Sequence, residues 1–166
     1  STVSLEDGIF YRSTNIKTIK LPAMIDEFNF FMFDELPQLA LIEVEEGGVN
    51  YASIDGILTN GVKDTILYAP LTTSGTFTVP RGVQYIADNA FRGRTNVTRV
   101  IIPNYVKGIG NYAFDGCARL KSITFNGSRE FDLTIGNNAF SGCVILDQVA
   151  FLGNGSEDML DAGVIT

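Results

Sequence analysis

IPNYVKGIGNYAFDGCARLKSITF, residues 102–125, decides the fold, because the chain repeats its pattern on both sides. Upstream the same order runs Phe77-x-Val79-Pro80, Val83, Ile86, Asp88, Ala90-Phe91, Gly93, Val97 and Val100-x-Ile102. Downstream it runs Ile135-Gly136-Asn137, Ala139-Phe140, Gly142-Cys143, Leu146 and Val149-x-Phe151. Phe91, Phe114 and Phe140 are spaced by 23 and 26 residues, and Ile86, Ile109 and Ile135 by the same steps. A self-similar period of this length marks a chain built from stacked coils, each burying its apolar side against the next.

The first third carries a worn copy. A shift of 58 residues lays Leu21-Pro22 on Val79-Pro80, Phe33 on Phe91, Leu39 on Val97 and Ile42-x-Val44 on Val100-x-Ile102, with the alanine and glycine marks lost. Counted by the apolar-x-apolar pair, turns begin at Ile19, Ile42, Phe77, Val100, Ile123 and Val149, in steps of 23, 35, 23, 23 and 26. Six turns result, and one step is 12 residues too long.

The Leu-x-x-Ile-x-Ile spacing is that of a leucine-rich solenoid. The triplet is a short strand whose alternate side chains point inward, and strands stacked about 4.8 Å apart turn equivalent positions into apolar ladders. Asp88, Asn111 and Asn137 share a register suited to capping a short helical turn, and Gly93, Gly116 and Gly142 stand where that turn ends with positive φ. Phe91, Phe114 and Phe140 should be buried knobs. The expected fold is a repeat solenoid, mainly β with short helical or 3-10 segments: a right-handed leucine-rich coil of about six turns with β-hairpin inserts. The Phe-rich residues 24–36 suggest a longer helix that closes the open N-terminal end.

The string Ile-Pro-x-x-Val-x-x-Ile-Gly-x-x-Ala-Phe-x-Gly-Cys-x-x-Leu-x-x-Ile-x-Phe, starting at Ile102, resembles the leucine-rich repeat of BspA-like bacterial surface proteins. The resemblance is clear over residues 76–152 and weaker over 16–46. Residues 51–58 followed by 65–70 are similar to the hairpin insert of such proteins, and Asp7-Gly-Ile-Phe10 to its first half. Asn60-Gly61, between two β-rich runs, is a hairpin signal in its own right. One domain, 1–166, is expected: degenerate repeats at 1–46, an insert at 47–75, three well-formed repeats at 76–152 and a tail at 153–166. The resemblance implies a secreted or cell-surface location and an adhesion or host-protein-binding role in a bacterium.

Composition narrows the chemistry. With 12 Lys+Arg against 19 Asp+Glu, a net charge of −7 and no histidine, the chain would repel nucleic acid and lacks His-based nucleophiles and metal sites. No apolar run approaches the ~20 residues of a membrane helix, and no charged-then-apolar leader opens the chain, which starts at Ser1 as a processed or excised piece would. Gly108-x-Gly110-x-x-Ala113 matches a dinucleotide-loop pattern, but its counterpart in the next repeat lacks the first glycine, so repeat register explains it. Cys117 and Cys143 share a register. We read them as free inward thiols, with a bridge between adjacent coils as the alternative. The acidic groups Asp26-Glu27, Asp34-Glu35 and Glu43-x-Glu45-Glu46 read as a solvated face, without the spacing of a calcium loop. The sequons at Asn96, Asn126 and Asn154 are close to chance frequency, and in a bacterium would have no role.

No cofactor and no catalytic set is expected. The remaining surface is the outward side of the strand ladder, where the candidate binding residues are Lys20, Leu41, Glu43, Thr78, Arg99, Ile101, Ser122, Thr124 and Gln148. It reads as one continuous face, small and β-branched, with exposed apolar groups at Leu41 and Ile101. Such a face suits a protein or glycan ligand, for example a host matrix or cell-surface protein, better than catalysis. A structural spacer is the alternative reading.

Overall fold

The computed structural model describes residues 3–127 and 132–153. In chain order its strands are β1 (Thr18–Leu21), β2 (Leu41–Val44), β3 (Tyr51–Ile54), β4 (Ile57–Asn60), β5 (Thr65–Tyr68) and β6 (Ser74–Thr78). They continue as β7 (Tyr85–Ile86), β8 (Asn96–Ile102), β9 (Gly108–Ile109), β10 (Ser122–Phe125), β11 (Thr134–Ile135) and β12 (Gln148–Phe151). The apolar-x-apolar triplets stack in the register that the repeat spacing requires: Ile19 lies beside Ile42, and Phe77, Val100, Ile123 and Val149 run in one line across β6, β8, β10 and β12. All of these pairs are parallel, so the chain is a β-solenoid of about six turns.

The later coils have a second ladder, at the register of Ile86, Ile109 and Ile135. Ile66, Ile86, Ile109 and Ile135 align through the parallel pairs β5–β7, β7–β9 and β9–β11. Two residues per coil are enough, because each extended pair finds its partners in the coils above and below rather than within its own.

The third side was expected to be a one-turn helix, and it is mostly not helical. Alternate backbone N–H groups there leave their own turn for the next coil: Asn89 donates to the Asn111 carbonyl (3.0 Å), Phe91 to Ala113 (2.7 Å) and Gly93 to Asp115 (2.7 Å). One coil on, Tyr112, Phe114 and Gly116 donate to Asn137, Ala139 and Ser141. Donors committed between coils cannot also close a helix. Among the described residues the one helical segment is the 3-10 helix Phe30–Glu35, in the degenerate repeat. The Asx register is likewise re-used. Asp88 Oδ1 accepts from the Asn111 N–H (2.7 Å) and Asn111 Oδ1 from the Asn137 N–H (2.8 Å), so these side chains tie coil to coil instead of capping their own turn. Gly93, Gly116 and Gly142 do adopt positive φ (73°, 71° and 68°), the left-handed backbone that ends the turn.

The N-terminal end differs from the expectation of a longer helix over residues 24–36. Asn29 caps the short 3-10 segment by accepting from the Phe31 N–H, and Phe33 is fully buried at the Phe91 register. The end is covered instead by the preceding chain: Val3 bridges Ile25, and Leu5, Phe10 and Ile16 pack on the core. Asp7 to Phe10 forms turns, not half of a hairpin.

The surplus residues form the antiparallel hairpin β3–β4, whose two-residue turn is Asp55-Gly56, both at positive φ (50° and 80°). Asn60-Gly61, read from sequence as a hairpin turn, opens the turn between β4 and β5, which pair antiparallel, with the Lys63 N–H donating to the Asn60 carbonyl (3.0 Å). β5 pairs antiparallel with β4 and parallel with β7, so the strand at 65–68 is a side of a coil as well as the last strand of the insert expected at 47–75.

This region divides the core into two clusters, one from Ile19 to Tyr68 and one from Ile57 to Ala139. Arg94, only 1% exposed, joins them: its guanidinium lies 4.4 Å over the Tyr68 ring and its Nε donates to the Ala69 carbonyl (2.7 Å). Its Nη1 donates to the Arg92 carbonyl, and its Nη2 forms an ion pair with Asp34 (3.2 Å) without hydrogen-bond alignment. Tyr68 donates its hydroxyl to the same carboxylate (2.8 Å), and burial holds that phenol far above its ordinary ionisation range.

Within the larger cluster Phe91 and Phe114 stack at 4.8 Å and Phe114 and Phe140 at 5.5 Å. Phe91 and Phe114 are fully buried; Phe140 is half-buried, since among the described residues no further ring stacks on its far side. Replacing Phe114 by Ala should therefore lower the unfolding free energy by roughly 3–5 kcal/mol. Phe151→Ala, at a position 70% exposed, should cost less than about 1 kcal/mol. Denaturant titration of the two variants checks the register directly, and equal costs would contradict it.

Candidate binding face

The outward ladder positions fall on two panels rather than one continuous face. Lys20, Leu41 and Glu43 lie on the β1–β2 pair, while Thr78, Arg99, Ile101, Ser122, Thr124 and Gln148 lie on the β6–β8–β10–β12 sheet. The break has a steric cause. The tip of the β3–β4 hairpin occupies the edge of β2, where the Ile42 N–H donates to the Gly56 carbonyl (2.9 Å) and a Cβ on Gly56 would stand 2.6 Å from the Leu41 side chain.

On the first panel Lys20 and Glu43 pair with each other at 3.1 Å across the strands, an exposed ion pair of small energetic worth. Leu41 is exposed beside them. On the second panel Thr76, Thr78 and Arg99 are exposed, and Ile101 and Gln148 partly so. Ser122 and Thr124, expected to be outward and accessible, are buried. Ser122 stands between the longer Arg99 and Gln148 and sits below their level, and Thr124 lies between Ile101 and Ala150 on a strand paired on both sides. The usable part of the panel is its β6–β8 edge.

The other chemical candidates resolve into stacking. A Cβ on Gly110 would meet the Asp88 backbone nitrogen at 2.5 Å, and one on Gly136 the Asn111 nitrogen at 2.5 Å, so the Gly-x-Gly-x-x-Ala pattern marks where coils touch. Both cysteines are free. Their thiols donate to carbonyls of the preceding coil, Cys117 to Phe91 (3.2 Å) and Cys143 to Phe114 (3.3 Å), and Arg94 fills the same role one coil earlier toward Ala69. The carboxylates are dispersed: Asp34 joins the Arg94 clasp, Glu43 pairs with Lys20 and Glu45 accepts from the Ala23 N–H. Among the described residues no three acidic or sulfur ligands converge. Asn96 opens β8 and accepts from Arg119; the sequon beginning at Asn126 extends beyond the described residues, and the one at Asn154 lies outside them. Sequence reading passed over Val49 and Val62, which are among the most exposed apolar side chains of the molecule; the only signal was a valine beside a turn glycine in each case.

The family model for BspA type leucine-rich repeat regions matches the chain in 6 copies, over residues 1–55 and 68–157. The chain belongs to this family. The gap in the match falls on β4 and its connection to β5, where the hairpin interrupts the coils. No curated protein sequence matches the chain. Among solved structures, the pneumococcal vaccine antigen PcpA is similar at 18% identity and a TM-score of 0.61, over 86% of this chain and 40% of that one. A leucine rich cell surface protein from Faecalibacterium prausnitzii A2-165 is similar at 19% identity and a TM-score of 0.52, over 97% of this chain and 53% of that one. The T. pallidum leucine rich repeat protein TpLRR follows at 22% identity and a TM-score of 0.51, over 92% and 66%. The likeness is one of fold, and the chain spans less than two thirds of each of these proteins. No helix among the described residues is long and apolar enough to cross a membrane.

Burial pushes the Cys117 thiol up to about 12 from an ordinary value of 9.0, with the neighbouring Cys143 adding to the shift, and burial raises Cys143 as well. Above pH 9.0 the unfolded Cys117 thiol ionises while the folded one keeps its proton, so stability should fall as pH rises from 9.0 toward 12. Thiol titration at mildly alkaline pH should find Cys143 reactive and Cys117 silent in the native protein, and both free in denaturant without reductant. A denatured chain with no free thiol would show a disulfide instead.

Proposed function

We propose that this leucine-rich repeat domain is a non-catalytic binding module, exported to the cell surface or secreted, that engages a protein or glycan through the outward side of its strand ladder. The observation that carries the reading is the β6–β8 edge. Thr76, Thr78 and Arg99 are exposed there, with Ile101 between the ladder positions of Thr78 and Thr124, on a backbone held by parallel pairing on both sides of β8. A rigid surface of hydroxyls, one guanidinium and one aliphatic group offers shape and hydrogen bonding at little ordering cost, and it presents no convergent acid and base. Family membership supports the reading, because stacked repeats present extended surfaces suited to macromolecular ligands. A host matrix or cell-surface protein is the partner class it fits, and an adhesion role follows from that.

The test is binding to a panel of extracellular-matrix proteins and to a glycan array. Ile101→Glu should weaken the captured interaction by about tenfold or more, the usual scale for a charge set into an interface core, while the circular dichroism spectrum is retained. Leu41→Glu, on the separate β1–β2 panel, should leave it unchanged. Binding indifferent to Ile101→Glu would remove this face.

A further inference from the structure

The hairpin insert does more than interrupt the ladder. Its two flanking turns, residues 47–50 and 61–63, are pressed together so closely that Gly61 admits no side chain at the contact. A Cβ on Gly61 would lie 2.0 Å from the Val49 carbonyl oxygen and 3.0 Å from that of Gly48, and within the first turn one on Gly48 would lie 2.1 Å from the Tyr51 carbonyl oxygen. The Gly61 N–H donates to the Asn50 carbonyl (3.0 Å), and Asn60 Oδ1 accepts from the Asp64 and Thr65 N–H groups, which fixes the second turn. Held on this scaffold, Val49 and Val62 are 71% and 76% exposed. Two aliphatic side chains are thereby presented outward on turns whose backbone is fixed.

Two grooves meet at Gly61. One, of about 440 Å³, has Val49, Val62, Phe30 and Leu67 as apolar walls and Glu27 as its charged member. The other, of about 340 Å³, runs along Glu45 and Glu46, with Lys63 opposite. Their combined lining carries three carboxylates against one ammonium, in a chain whose net charge is −7. That balance selects a cationic partner and disfavours an anionic lipid surface.

The neutral polar side chains of the first groove are already engaged. The Tyr51 hydroxyl accepts from the Phe28 N–H, the Asn50 amide donates to the Ile25 carbonyl and the Asn60 amide to Asp64. Phe30 meets Tyr51 and Tyr68 edge-on, at 80° and 64°, and so offers no free ring pair to stack on a pyranose. Insertions in solenoids commonly line a binding side, which fits the position of these turns.

We propose that the paired turns form a second docking site, distinct from the ladder face, for an extended cationic peptide segment. An apolar side chain of the peptide seats on Val49, Val62 and Phe30, and flanking lysines or arginines reach Glu27 on one side and Glu45 and Glu46 on the other. The site stands whether or not the ladder face binds anything.

The experiment is an NMR titration of the whole chain with an acetylated, amidated peptide carrying a central leucine between lysine pairs. Two control peptides replace the lysines by glutamates or the leucine by glycine. Saturable shifts confined to the two turns and Phe30, seen with the first peptide and weakened several-fold by high salt, are expected. Val62→Asp should abolish them, and Glu27→Gln with Glu46→Gln should weaken the affinity by roughly three- to tenfold, with the backbone spectrum elsewhere unchanged. No shift at millimolar peptide, equal shifts with the glutamate peptide, or shifts on β6 and β8 instead would each overturn the proposal.

Discussion

Every coil has to lie one strand spacing from its neighbour, about 4.8 Å, all the way round, and the rest of the molecule follows from meeting that distance on three sides at once. On the long-strand side parallel pairing meets it; on the short-strand side two residues do. On the turn side it is met by N–H groups sent to the next coil and by Asp88 and Asn111 reaching across. Where backbones come nearest, at Gly110 and Gly136, a single methyl group would collide. The stacked rings of Phe91, Phe114 and Phe140, at 4.8 and 5.5 Å, are the side-chain expression of the same repeat distance. The cost of so much order is that few of the recurring side chains are left over from stacking.

An inserted hairpin threatens this arrangement, because it separates two stacks that would otherwise share one ladder. The chain answers with β5, which belongs to the hairpin sheet and to the short ladder together, and with Arg94, which spans Asp34, Tyr68 and Ala69. Arg94 stands in the register that Cys117 and Cys143 occupy in later coils. In each case a donor reaches back to a carbonyl of the preceding coil, and only at the junction is that donor long enough to reach across to the other core. The same insert covers the edge of β2 and raises the turns that carry Val49 and Val62, so the one irregular step of the repeat generates the most distinctive surface.

What the sequence made legible is what recurs. The registers of Ile19, Ile42, Phe77, Val100, Ile123 and Val149, the buried Phe91 and Phe114, the positive-φ glycines and the unbridged cysteines could be read because each is a position repeated at a fixed step. What was missed depends on contacts between coils at one place only. A short helix at 88–93 satisfies local propensity, yet the N–H groups find better partners in the next coil. Asn60-Gly61 could be read as the turn between β4 and β5, but the further turn at Asp55-Gly56 could not, because only the pairing of β3 with β4 splits the run 51–58 into two strands. The candidate face was drawn as continuous because periodicity says nothing about what an insert covers. Burial of Ser122 similarly reflects the length of its neighbours Arg99 and Gln148.

In the regular repeats the turn side of a coil is held by hydrogen bonds to the next coil and not by a helix of its own. Native-state amide hydrogen exchange tests this residue by residue. Phe91, Gly93, Phe114 and Gly116 should exchange on the slow timescale of Val100 and Ile123 in the long ladder, and they should be released together with it as denaturant is added. Exchange of these four amides at the rate of exposed turns, with Val100 and Ile123 still protected, would contradict it.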